Sequence, residues 1–222
     1  MNDTVSGREK HRTFSYITLS VLVVLFIIAV VAATGADVDA RQTGAQVSAG
    51  VSGGSYSVIC VWRGESMENA LSVLEKLGVK AVFFTTSETA AADVDSAKSI
   101  TAGGHYLGVD CAATEGMNGG SSLLWLAKQN DGFCSITGRR PKYCLIREPA
   151  CLYASDAAAA YGQRCVREIK AIVNDGEEIE SGDVVLCVAE SEDTLKAFET
   201  AVFAAAARGL APASPGSSAW GK

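Results

Sequence analysis

From Tyr56 onward, short apolar, β-prone runs alternate with amphipathic segments, and this alternation narrows the possible folds more than any other feature. The runs are Tyr56–Trp62, Val79–Thr85, Tyr106–Val109, Tyr143–Ile146 and Val184–Val188. The last is apolar at every position, as expected of a central parallel strand covered on both faces. Between the first two, Met67, Ala70, Leu71, Leu74 and Leu77 recur at helical spacing, with Ser66 as the expected N-cap and Gly78 as the left-handed C-cap. The pattern predicts a second helix over 90–102 and a third from Ser121 or Ser122 to Gly138, burying Leu123, Leu124 and Leu126. A short Ala-rich helix is expected at Ser155 and Asp156. A final helix starts near Asp193 and ends at Arg208 and Gly209, with Leu195, Phe198, Val202 and Ala205 on one face. Residues from 211 on hold two Pro and three Ser and read as a disordered tail, with the domain placed at 56–212 and the tail at 213–222. Strands alternating with helices define an α/β domain with a parallel sheet, and periodicity leaves barrel and open sheet both standing.

The 222 residues suit one domain with appendages. An apolar fraction of 48% supplies a full core, and 20% charged residues argues against global disorder. Net charge is −6 with no basic run beyond the N-terminus, so no nucleic-acid partner is expected. Before the domain, Arg8, Lys10 and Arg12 precede the uncharged segment Phe14–Ala33, and Asp37 and Asp39 follow it. About 20 helical residues span about 30 Å, the thickness of the hydrocarbon layer. The positive-inside rule then gives a single-pass transmembrane helix over 14–33, a cytoplasmic N-terminus over 1–13 and a C-terminal domain outside the membrane. A signal peptide cleaved near Thr34-Gly35-Ala36 is the alternative, and it also exports the domain. Residues 34–55, rich in Gly, Ala, Ser, Gln and Asp, read as a flexible linker.

Seven cysteines (Cys60, Cys111, Cys134, Cys144, Cys151, Cys165 and Cys187) include no C-x-x-C pair. Mostly free, buried thiols are the favoured reading; one or two bridges stay open, with no connectivity legible.

The segment "ENALSVLEKLGVKAVFFTT…AKSITAGGHYLGVDC" resembles the polysaccharide deacetylase (NodB-homology) family, carbohydrate esterase family four. That family carries a helix, "GVKATFF", a second helix and "AGHEIGNHT" in the same order. "ITGRRPKYCLIREPACLY" is similar to the family's "TGKKPKYFRPPYG", and "IESGDVVLCVAESEDTLKAFETAVFAAAARGL" to its last strand and helix. The likeness covers about residues 56–212 and implies a distorted, partly truncated (β/α)7 barrel.

Members of that family hold a divalent metal such as zinc through one aspartate and two histidines, and use a second aspartate as base. Metal-bound water attacks the N-acetyl group, the reaction of a hydrolase of non-peptide C–N bonds. The resemblance places the base on Trp62, the metal aspartate on Arg63, and the two histidines on Asp110 and Thr114. The acid histidine falls on Val188 and the next aspartate on Ala189. Arg147 and Pro149 match the third region only after a two-residue shift. Trp accepts no proton, and Arg63 is permanently cationic. His105 lies upstream of the ligand positions and reads as structural, while His11 precedes the membrane segment.

The expectation is a domain without catalytic residues, metal or other cofactor, presenting Trp62, Arg63, Glu65, Asp110 and Thr114 as candidate ligand-binding residues for envelope glycan or a protein partner. Trp62 either stacks on a sugar or fills the vacated metal cavity, and Arg63 pairs with Glu65 or Asp110. Alternatives are a divergent metal-dependent deacetylase using Asp110, and a purely structural envelope scaffold. A Gly-rich "GMNGGSS" turn lacks a P-loop lysine, and no G-x-S-x-G elbow is present. Cys111, with a carboxylate nearby, has no histidine base at hand.

Overall fold

The computed structural model describes residues 54–147, 151 and 153–217. The predicted membrane segment 14–33 and nearly all of the linker lie outside the described residues, as does Pro149. No described helix is long and apolar enough to cross a membrane.

Among the described residues there are eight strands: β1 (Ser55–Val61), β2 (Val82–Thr85), β3 (Tyr106–Asp110), β4 (Tyr143–Leu145), β5 (Arg164–Val166), β6 (Lys170–Ile172), β7 (Val184–Cys187) and β8 (Ala211–Pro212). Six α-helices are interspersed among the same described residues: α1 (Glu68–Leu77), α2 (Ser87–Ala92), α3 (Val94–Ala102), α4 (Gly119–Thr137), α5 (Ala154–Ala160) and α6 (Glu192–Ala207). All strand pairs are parallel, in the order β5-β4-β3-β2-β1-β7-β6, with β8 beside the start of β1. The two edge strands, β5 and β6, are consecutive in the chain and joined only by residues 167–169. The sheet therefore curls round until its edges come together, as a half-open barrel must.

Strand alternation divides the core in two. Val58, Cys60, Phe83, Leu107, Val109, Cys144, Val185 and Cys187 face the helices. Ile59, Val82, Phe84, Tyr143, Leu145 and Val166 fill the barrel, with Tyr106 and Leu186 packed against them. Gly108 belongs to the inner row. A Cβ there would lie 2.5 Å from the Phe84 ring, so the residue must be Gly for that ring to fit.

Several sequence-based boundaries move. The helix expected over 90–102 is two helices, because Asp93 leaves helical geometry (φ −137°) and its carboxylate accepts from Ser96 N–H to start α3. Helix α4 begins earlier, capped by Asn118. Leu126 is buried as expected, but Leu124 is 74% exposed and Leu123 is also on the surface. Met67 rather than Ser66 precedes α1, without a side-chain cap, whereas Gly78 ends the helix in the left-handed conformation.

Residues 211–217, whose composition reads as tail, make defined contacts with the barrel. Strand β8 pairs Ser55 with Ala211 and Tyr56 with Pro212, and Ala213 is buried in the barrel cluster. Gly216 N–H donates to Tyr143 Oη at 2.8 Å, and Arg164 Nη1 donates to the Ser217 carbonyl at 3.3 Å. These contacts fall on the amino-terminal ends of β1, β4 and β5, so the segment forms a floor to the barrel. Long-range contacts impose this order on a Pro/Ser composition that locally reads as loop.

Candidate functional site

The carboxyl ends of β1, β3 and β4 carry the site positions. Asp110 ends β3 on the inner row of Tyr106 and Gly108, so its carboxylate turns into the barrel mouth. Arg147 lies two residues beyond Leu145 on the inner row of β4 and meets it there. Arg147 Nη2 donates to Asp110 Oδ2 at 3.0 Å, and Ala112 N–H donates to Oδ1 at 3.0 Å. The Asp110 side chain is nearly buried, and that of Arg147 is less than half exposed. Both carboxylate oxygens are thus engaged, one by a fixed cation and one by a backbone donor.

Trp62 follows the helix-facing row of Val58 and Cys60 and is only 1% exposed. Its indole N–H donates to the Glu65 carbonyl at 3.0 Å, satisfying the one polar group a buried Trp carries. Of the two roles open to Trp62, this is the burial of the packed side chain, although it packs beneath the helices rather than inside the barrel. Arg63 and Glu65 are exposed. Arg63 N–H donates to the Glu65 carboxylate at 3.1 Å, an interaction through the backbone rather than the guanidinium. The tight turn needs Gly64, whose φ is +111°. Thr114 is buried in the 3-10 turn Cys111–Thr114, with its hydroxyl donating to the Cys111 carbonyl at 2.7 Å. Val188 is half-buried.

The structure thus joins Trp62, Arg63 and Glu65 in one turn. It pairs Asp110 with Arg147, a partner that the sequence reading placed near the third motif but did not connect to Asp110. The signal was the alternation along β4, which puts Tyr143, Leu145 and residue 147 on one face.

A divalent metal does not fit these residues. Zinc needs three or four N, S or O ligands converging at about 2.0–2.3 Å. Arg63 offers a cation instead of a ligand, Thr114 spends its hydroxyl within its own turn, and Asp110 is held by Arg147. Among the described residues, no group of three or more His, Cys, Asp or Glu is arranged to hold a metal.

His105 is structural, as the sequence reading held. Its Nδ1 accepts the Ala81 N–H at 3.1 Å, and its ring packs edge-on against Phe83. Burial, helped by the nearby Lys80 charge, lowers its pKa to about 4. Away from the mouth, Glu88 is held at about 2 by its bonds to Lys128 and Gln129. A 460 Å³ hollow at the barrel seam, between residues 165–170 and 182–184, contains none of the predicted site residues.

This curled parallel sheet with a carboxylate at its mouth has the polysaccharide-deacetylase fold. No family model and no curated protein sequence matches the chain. Among solved structures it is similar to a wild-type pseudoenzyme of carbohydrate esterase family 4 from Bacillus anthracis. That match has a TM-score of 0.59 and 16% identity, covering 72% of this chain and 64% of the other. It is also similar to the peptidoglycan deacetylase PdaC from Bacillus subtilis (TM-score 0.58, 12% identity, covering 73% and 89%). A family 4 carbohydrate esterase from Streptomyces lividans, solved with acetate, matches with a TM-score of 0.56 and 16% identity, covering 71% and 90%. The chain spans less than two thirds of the length of the Bacillus anthracis pseudoenzyme.

Proposed function

We propose that this is a catalytically inert deacetylase-like domain, held outside a cell membrane by segment 14–33, which binds envelope glycan at the former active-site mouth without transforming it. The observation that carries this reading is the Asp110–Arg147 ion pair. The one remaining carboxylate at a family ligand position is neutralised by an internal guanidinium. Exposed Arg63 and Glu65, together with the open part of Arg147, offer charged hydrogen-bond donors and acceptors suited to sugar hydroxyl or carboxylate groups. The burial of Trp62 favours a second reading, a structural scaffold whose site is filled by core.

Zinc analysis after dialysis, an assay on N-acetylated chito-oligosaccharide, and calorimetric titration with peptidoglycan fragments test the proposal together. The expected result is neither zinc nor product, with fragment binding weakened at least tenfold by Arg63→Ala. Stoichiometric zinc that is lost on Asp110→Ala would establish the enzyme instead. The absence of any glycan binding by the wild type would favour the scaffold. Membrane attachment is tested separately, by retention of the full-length chain in the membrane fraction after high-salt washing.

A further inference from the structure

Two of the seven thiols occupy equivalent positions on adjacent strands. In the ladder between β1 and β7, Ile59 pairs with Leu186, so the next residues, Cys60 and Cys187, lie side by side. Both belong to the helix-facing core, both are buried free thiols in this structure, and they lie close enough to perturb one another. Neighbouring strands lie about 4.7–4.9 Å apart, within the Cα separation of about 4.4–6.8 Å that a disulfide spans. A second register pair, Cys144 with Cys165 between β4 and β5, is less exclusive, because Cys144 also neighbours Cys111 and Cys165 is only half-buried, while Cys134 is exposed on α4.

We propose that Cys60 and Cys187 form a disulfide, closed while the chain folds and then sealed beneath the helices. The oxidant is another disulfide, either small-molecule or protein. One cysteine thiolate attacks it, giving a mixed disulfide and releasing one thiolate. The second cysteine's thiolate then attacks the chain's own sulfur, forming the Cys60–Cys187 bond and releasing the second thiolate. Two electrons and two protons leave the chain, and the oxidant is reduced to two thiols. Closure has to precede burial. In the folded chain the Cys187 contact and loss of solvent push the Cys60 thiol well above its ordinary range, which leaves little reactive thiolate. Once closed, the bond would tie β1, which leads into Trp62 and Arg63, to β7, which leads into Val188. Its presence in the cell rests on the placement of the domain outside the membrane, whereas its chemistry does not.

The test refolds the full-length chain from guanidinium into mild detergent, with mixed oxidised and reduced glutathione or with reductant alone. Remaining thiols are blocked with N-ethylmaleimide before non-reducing peptide mapping. A linked Cys60–Cys187 peptide should dominate after oxidising refolding, with the melting temperature raised by roughly 5–15 °C over the reduced chain. That difference should vanish in Cys60→Ala and in Cys187→Ala. Already folded, reduced chain should resist the same glutathione mixture at least tenfold longer. Recovery of both cysteines blocked by N-ethylmaleimide, or of Cys60 joined to a different cysteine, overturns the proposal. If a variant fails to fold, the wild-type map decides alone. A bridge that closes in vitro but is open in chain isolated from cells would uphold the pairing and argue against an extracytoplasmic location.

Discussion

Replacing Trp62 by Ala distinguishes a packed residue from a sugar platform. The side chain is among the largest that are fully buried, and it belongs to the cluster between sheet and helices that includes Met67 and Ala70. Large-to-small changes of a buried Trp cost about 3–5 kcal/mol, because the transfer energy is lost and the cavity closes only in part. Loss of the indole bond to the Glu65 carbonyl lies within that figure, and Trp62→Phe isolates most of it at about 1 kcal/mol. For a domain of this size, 3–5 kcal/mol lowers the melting temperature by about 10 °C. Urea titration followed by far-ultraviolet circular dichroism is the suitable assay, since intrinsic fluorescence would lose one of three Trp reporters in the variant. The expected order of stability is wild type, Trp62→Phe, then Trp62→Ala. A melting temperature for Trp62→Ala within a degree or two of wild type, with glycan binding abolished, would refute the packing argument.

Three further outcomes follow from named contacts. In a double-mutant cycle, Asp110→Asn and Arg147→Met should be non-additive by about 1–2 kcal/mol, a modest value because Arg147 remains partly exposed; additivity within error would mean that the pair is not formed in solution. Because the folded pKa of His105 lies below its usual value, its stabilising effect is complete above about pH 6.5 and is lost as pH falls towards 4. The urea midpoint should therefore drop over that interval by an amount on the order of 2 kcal/mol, and His105→Gln should flatten this component. Ending the chain after Leu210 removes β8, the buried Ala213 and the bonds to Tyr143 and Arg164, and should cost about 1–3 kcal/mol with the fold kept; an unchanged melting temperature would show that the floor carries no stability.

The parallel α/β architecture was legible because β1, β2, β3, β4 and β7 lie in the apolar runs that hydrophobic patterning marks. Strands β5 and β6 were missed. Each has three residues, Arg164-Cys165-Val166 and Lys170-Ala171-Ile172, too few for any periodicity to register. Their strand conformation comes from pairing with β4 and β7, contacts set by the closing of the sheet rather than by local preference. The break at Asp93 was hidden by flanking Ala-rich sequence that suits one continuous helix, although an Asp that can cap the following turn gave the clue.

At the site, the missing ligands could be read position by position, but the direction in which their replacements point could not be read from motifs alone. The strand placement of β1 resolves it: Val58, Cys60 and Trp62 share the helix-facing row, so Trp62 belongs to the core and not to the mouth. The same rule places Asp110 and Arg147 inward from two neighbouring strands. A nearly buried carboxylate needs a positive charge to offset its desolvation, and Arg147 supplies one to Asp110 with a directed hydrogen bond. A divalent ion entering this mouth would have to displace that guanidinium and then coexist with it nearby, while Arg63 occupies another ligand position. On the proposed reading, the replaced ligand positions and the internal cation act in the same direction: a histidine restored at 110 or 114 alone would leave both Arg63 and Arg147 at the mouth, whereas Arg63→Asp would remove one of the two cations.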